Sequence, residues 1–165
     1  DVYAGRKFAG GRIPRAEGPD GFNTEHTWPQ SKLKEAGRHD AISDLHHLFP
    51  VDTFANGKRG HVPFGWVKVV DWENGKSKLG HDEKGKIVFT PPEEHRGNVA
   101  RAMFWIAAAY ELKIPDDEEA VLKQWAKQDP VDDRERARND MIAQAQGSKN
   151  PFVSNPELVD RVEDF

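Results

Sequence analysis

The chain has 165 residues, 36% of them hydrophobic and 32% charged, with a formal net charge of −4 and no cysteine. That length fits one domain, and five Trp and nine Phe supply large side chains for its core. The composition excludes a disordered chain, disulfides and a thiolate metal site, and no apolar run approaches the ~20 residues that cross a bilayer.

Charge is unevenly spread. Residues 1–90 carry 14 Lys/Arg against 12 Asp/Glu, whereas residues 91–165 carry 10 against 16. A site for a polyanion is therefore expected in the first part of the chain. The sequence starts DVYAGRKF, without Met and without an apolar leader, which suits a processed chain.

Residues 1–21, with five Gly and two Pro, read as an irregular arm of unassigned role. A short strand is expected at 23–28 and a helical turn at 31–36, stopped by Gly37. DLHHLFPV (44–51) reads as a second strand. DTFANGKRG (52–60) reads as a helix capped by Asp52 and stopped by Gly60. GWVKVVDWENGK and GKIVFTPP suggest a small antiparallel sheet, with turns at Asn74-Gly75 and Lys84-Gly85. In TPPE, Thr90 stands as a helix cap, Pro91 as the first helical residue and Glu93 as the reciprocal partner. Val99, Met103, Ile106 and Tyr110 then form a buried stripe that includes AMFWIAAAY (102–110). Further helices are expected from Asp117 to Gln128, from Asp132 to Gly147, and after a Ser154 cap. Trp28, Trp66 and Trp72 are assigned to packing.

Five of the seven histidines fall between residues 26 and 61. The same window holds Glu25, Asp44, Asp52, Asn56, Lys58 and Arg59. Neighbouring side chains of a regular strand point to opposite faces, so Glu25 and His26 can share a site only where the strand stops; Pro29 makes a stop plausible. Three readings compete. The first is a polar surface with structural hydrogen bonds. The second is a zinc site, disfavoured because adjacent His46 and His47 diverge and the spacing fits no known zinc pattern. The third is a hard-cation site with oxygen ligands from Glu25 and Asn56, His26 free as a base, and Arg59 one helical turn beyond Asn56.

FNTEHTWPQS followed by SDLHHLFPVDTFANGKRG resembles the endonuclease I family, a branch of the His-Me-finger (ββα-metal) nucleases. FTPPEEHRGNVARAMFWIAAAYEL, LKQWAKQDPVDDRERARND and QGSKNPFVSNPELVDRV extend the resemblance toward its secreted bacterial branch, which includes extracellular ribonucleases. The likeness runs over roughly residues 22–162.

The resemblance implies an α+β fold: a ββα-metal finger at 22–60, a small antiparallel sheet, and a mainly helical part at 90–165, within a single domain. It implies that His26 is the general base and that Glu25 and Asn56 hold one divalent cation, Mg²⁺ first, with Mn²⁺ or Ca²⁺ as alternatives. Arg59 and Lys58 stand as substrate-binding candidates, with a structural role also open to Arg59. Asp44, His46 and His47 stand as supports of the finger. The implied activity is sequence-nonspecific hydrolysis of DNA and/or RNA to 5′-phosphate products by an exported monomer, secreted or periplasmic, with no membrane or protein partner. An RNA-preferring ribonuclease and a non-catalytic nucleic-acid-binding protein on the same scaffold are the alternatives. Two departures stand out: the cysteine pairs of some relatives are missing, and Ile42 occupies a place where some relatives carry Glu.

Overall fold

The computed structural model describes residues 1–7 and 21–165. The remainder of the expected N-terminal arm lies outside the described residues. Strand β1 (Phe22–His26) runs antiparallel to β2 (Leu48–Asp52), with Glu25 opposite Phe49 and His26 opposite Leu48. The connection between them contains helix α1 (Gln30–Glu35) and two short 3-10 turns. Helix α2 (Thr53–Arg59) follows β2 directly. Its start is fixed by Asp52, whose carboxylate accepts the Ala55 N–H at 2.9 Å.

One expectation fails at the entry to β2. Residues Leu45–His47 form a 3-10 turn, and the strand begins only at Leu48. The cause is local: the Asp44 carboxylate accepts the His46 N–H at 2.8 Å, giving the backbone an alternative to a ladder.

The second sheet has the order β3 (Val69–Glu73), β4 (Lys78–His81), β5 (Ile87–Thr90), all antiparallel. Both expected turns are present, with Gly75 at φ 81° and Gly85 at φ 78°, conformations that favour glycine. Thr90 is not a helix cap. It ends β5, and its hydroxyl donates to the Gly65 carbonyl at 2.5 Å while accepting the Val67 N–H at 2.9 Å. Two consecutive prolines after it disfavour helical backbone. Helix α3 (Arg96–Tyr110) therefore starts later, after a 3-10 turn at Glu93–His95.

Helix α3 buries Val99, Met103 and Ile106, and half-buries Tyr110. It packs along α4 (Asp116–Gln128). Helix α5 (Asp133–Gln146) is capped by Asp132, which accepts the Glu135 N–H at 2.7 Å. Ser154 is not a cap either. It closes the short α6 (Pro151–Ser154), which Asn150 caps by accepting the Phe152 N–H at 2.9 Å. Pro156–Asp160 is a 3-10 turn. Leu33, Val51, Ala55, Phe89, Phe104 and Trp125 belong to one apolar core, so the ββα unit, the second sheet and the helices are continuous. The fold is α+β with small antiparallel sheets.

His95 lies in this core against the rings of Phe49, at 4.8 Å, and Tyr3, at 6.2 Å. Among the described residues its Nε2 has no hydrogen-bond partner. Burial pushes its pKa down from 6.5 to about 3; Arg138 adds to the shift and Glu94 opposes it. Between those values the unfolded chain holds the proton and the folded chain does not. Stability from this residue is therefore fully present above pH 6.5 and is lost as pH falls toward 3. The expected slope is about 1.4 kcal/mol per pH unit. His95→Phe keeps a ring in the core and should remove this one-proton slope from urea titrations at mildly acid pH. An unchanged slope would show that His95 gains its proton without unfolding.

Candidate active site

Helix α2 packs against both β1 and β2. At the C-terminal end of β1 they border an open cleft of about 370 Å³ whose wall includes Asn23, Glu25, His26, Gln30, Asn56 and His61. A larger groove of about 590 Å³ lies between the second sheet and α4. Its lining has no histidine, and its Lys68 and Lys86 are paired with Glu83 and Asp117. The histidines, His26 and His61, are in the smaller cleft.

Glu25 and His26 share the cleft because β1 ends there. The carbonyls of His26 and Thr27 accept Arg59 guanidinium bonds at 3.1 and 2.6 Å. Glu25 is buried, and its Oε1 accepts the Tyr3 hydroxyl at 2.8 Å and faces Arg59 Nη1 at 3.3 Å. Burial raises its pKa, while Arg59 and the Tyr3 bond pull it back. Among the described residues Oε2 has no hydrogen-bond partner, and Glu25 is one of the residues that line the cleft.

His26 is half-buried at the cleft wall. Burial lowers its pKa, and the nearby carbonyls of Thr24 and Ile42 oppose this. The imidazole is thus held neutral at neutral pH, the form a base requires. The Gln30 amide nitrogen stands 3.1 Å from both ring nitrogens. Behind His26, the His47 ring packs edge-on at 5.5 Å.

Asn56 projects into the cleft from α2. Its amide nitrogen donates to Asn23 Oδ1 at 2.8 Å and more weakly to the Thr24 carbonyl at 3.3 Å. This orientation sends Oδ1 away from β1, and among the described residues Oδ1 accepts no hydrogen bond.

The two basic candidates separate from the cleft. Arg59 is 1% exposed, with the Phe64 ring 4.5 Å from its guanidinium. It points inward, so a phosphate contact from it would require it to leave the core. Lys58 does not line the cleft either; its ammonium sits 5.3 Å from the ring of Phe54, one turn back on α2.

Asp44, His46 and His47 lie behind the cleft and tie it to the helices. Asp44 accepts bonds from the Trp105 indole at 2.7 Å, Gln146 at 2.9 Å and the Tyr110 hydroxyl at 3.0 Å, besides the His46 N–H. These donors hold its carboxyl below the usual range despite burial. His46 reaches the Ser148 carbonyl at 3.1 Å and packs on Trp105. His47 bonds the Ala41 carbonyl at 2.9 Å, and burial pushes its pKa down to about 4.

Sequence reasoning missed Tyr3 and Gln30. Gln30 carried a signal, since it lies in the quoted motif four residues beyond His26. Tyr3 carried none, being 22 residues from the carboxylate that it touches.

A profile of the Endonuclease I family matches residues 3–157. The chain is 32% identical over 163 residues to an extracellular ribonuclease of Bacillus subtilis (strain 168), covering 86% of this chain and 54% of that protein. It is 30% identical over 135 residues to an extracellular deoxyribonuclease of Aeromonas hydrophila, covering 76% of this chain and 56% of that protein. It is 33% identical over 111 residues to Endonuclease-1 of Buchnera aphidicola subsp. Acyrthosiphon pisum (strain APS), covering 67% and 44%. The chain spans about half the length of these curated relatives. With a family match over nearly its whole length, the chain belongs to the endonuclease I family.

Proposed function

We propose that this chain is a divalent-cation-dependent endonuclease that hydrolyses phosphodiester bonds of DNA and RNA with little sequence preference, using β1, β2 and α2 as a ββα-metal (His-Me) finger. The observation that carries the reading is the meeting of Glu25, His26 and Asn56 on one small cleft although 30 positions separate His26 from Asn56. The names of the relatives support a nucleic-acid substrate and, through the word extracellular, export.

The residues present fit a hard cation. Glu25 Oε2 and Asn56 Oδ1 are both unengaged oxygens on the cleft. In this reading these two oxygens are the protein's ligands to the cation. Mg²⁺ suits such a site because it keeps several waters and accepts substrate phosphate oxygens. When bound, the cation supplies charge stabilisation at the phosphate and the leaving oxygen.

The chain's own residues do the rest. His26 takes a proton from the attacking water, and its neutral state allows this. The Gln30 amide sits where it can orient the ring or yield its place to that water. Asn23 and Thr24 fix the Asn56 amide. No step needs a ribose 2′-hydroxyl, so the chemistry admits DNA as well as RNA. Recognition falls on the phosphate backbone, and cleavage should weaken steeply with salt.

The test is a side-by-side digest of supercoiled plasmid and total RNA with Mg²⁺, with and without EDTA. Both substrates should be cut with Mg²⁺ and spared with EDTA. Cleavage of RNA alone would favour the narrower ribonuclease; no cleavage with Mg²⁺, or cleavage untouched by EDTA, rejects the reading.

A further inference from the structure

The described part of the N-terminal segment folds on itself and is tied to the body of the protein. The Asp1 carboxylate accepts the N–H groups of Tyr3, Ala4 and Arg6 at 3.0, 2.9 and 2.8 Å. The Val2 N–H donates to the Pro50 carbonyl of β2 at 3.1 Å. Arg6 pairs with Asp52, the cap of α2, at 2.6 Å. Between these ties Tyr3 is fully buried. Its carbonyl accepts Ser77 Oγ at 2.7 Å and Asn74 Nδ2 at 3.2 Å from the β3–β4 turn. Its ring packs on Phe89 at 5.0 Å.

Packing alone would be served by Phe. The hydroxyl has one described contact, Glu25 Oε1 at 2.8 Å. Arg59 approaches that same oxygen, at 3.3 Å. A hydroxyl donor and a guanidinium charge thus meet on one oxygen, brought together from residues far apart in sequence, and they engage Oε1 while Oε2 has no described partner; Glu25 itself lines the cleft.

We infer that Tyr3 is a positioning residue: its hydroxyl holds Glu25 so that Oε2 is presented to a divalent cation. This rests on the reading of Glu25 as a cation ligand. Groups that orient a metal ligand from behind act on affinity because a free carboxylate must be ordered at the moment of binding. Without the hydroxyl, Oε1 keeps only Arg59, and the carboxylate can swing to a two-oxygen pairing with the guanidinium that draws Oε2 away from the cleft.

The test is Mn²⁺ titration followed by electron paramagnetic resonance on the whole chain, for wild type, Tyr3→Phe and Glu25→Gln, with urea unfolding of each metal-free protein alongside. Tyr3→Phe should weaken Mn²⁺ binding about tenfold. Its cleavage at limiting Mg²⁺ should fall and recover at saturating Mg²⁺. Glu25→Gln should weaken Mn²⁺ binding further. If Tyr3→Phe lowers metal-free stability but binds Mn²⁺ as wild type does, while Glu25→Gln does not, the hydroxyl is structural and the positioning role is overturned. If Glu25→Gln also binds Mn²⁺ normally, the ligand assignment itself falls, and the inference with it. Should Tyr3→Phe fail to fold, Ser77→Ala loosens the same segment while keeping the phenol; it should weaken Mn²⁺ binding severalfold, and an unchanged affinity overturns the inference.

Discussion

His26→Ala is expected to slow plasmid cleavage at saturating Mg²⁺ by ~10²–10⁴-fold, the range that a single proton-transfer group supplies. The ring is half-buried beside an open cleft, so its removal leaves space that solvent can fill rather than a dry cavity. The loss should therefore be one of rate and not of folding. Glu25 and Asn56 keep their own partners in this variant, Tyr3 and Arg59 for the first and Asn23 for the second. Mn²⁺ affinity and retention of DNA on a gel should accordingly stay close to wild type. Added imidazole, small enough for the vacated space, should restore part of the rate. A variant that cuts at the wild-type rate would remove His26 from the chemistry.

Arg59→Met is expected to cost about 3–5 kcal/mol of folding stability, the typical result of deleting one partner of a buried ion pair. Methionine replaces much of the aliphatic stem, so the loss is mainly polar. The Glu25 carboxylate would keep Tyr3 alone, and the carbonyls of His26, Thr27 and Gly60 would lose their guanidinium donor. Urea unfolding with an unchanged m-value measures this directly. A phosphate-contacting arginine behaves differently: its loss raises KM and reduces the salt sensitivity of binding while leaving the unfolding midpoint in place. That pattern in Arg59→Met would return Arg59 to the substrate; a large fall in midpoint keeps it as the pin beneath the cleft.

The two substitutions separate what adjacent lines of the motif do. His26 ends a strand beside solvent, whereas Arg59 closes the underside of that strand end. On the proposed reading the cleft needs both, because a base is useful only if the neighbouring carboxylate is held still.

Local signals were enough for several pieces of this architecture. Asp52 before TFANGKR, with Gly60 after it, marks α2, since a short carboxylate can reach the N–H three residues on. Asn74-Gly75 marks a turn because glycine tolerates φ 81°. Asp132 with Glu135 marks the start of α5 in the same way. Glu25, His26 and Asn56 were legible as a group by residue type and order, and the structure gathers them on one cleft.

Where local signals conflicted, tertiary contacts won. TPPE has the pattern of a capping box, but Thr90 pairs with Lys78 across β4 and hydrogen-bonds Gly65 and Val67, and those partners hold it extended. LHH looks like strand, but Asp44 is claimed by His46, Trp105, Tyr110 and Gln146, which fixes a tight turn instead.

The sequence by itself determined where α2, α5 and the two glycine turns lie, because caps and glycines act over three or four residues, and it determined which residue types were available for a hard cation and a base. Only the tertiary structure decided which way α2 faces. Ala55 and Arg59 share one side of that helix and Asn56 another, and the sequence is compatible with either side meeting solvent. The core on Phe64 and the Glu25 carboxylate drew Arg59 inward and left Asn56 to the cleft, since a buried carboxylate without a cation beside it is far costlier than an exposed amide.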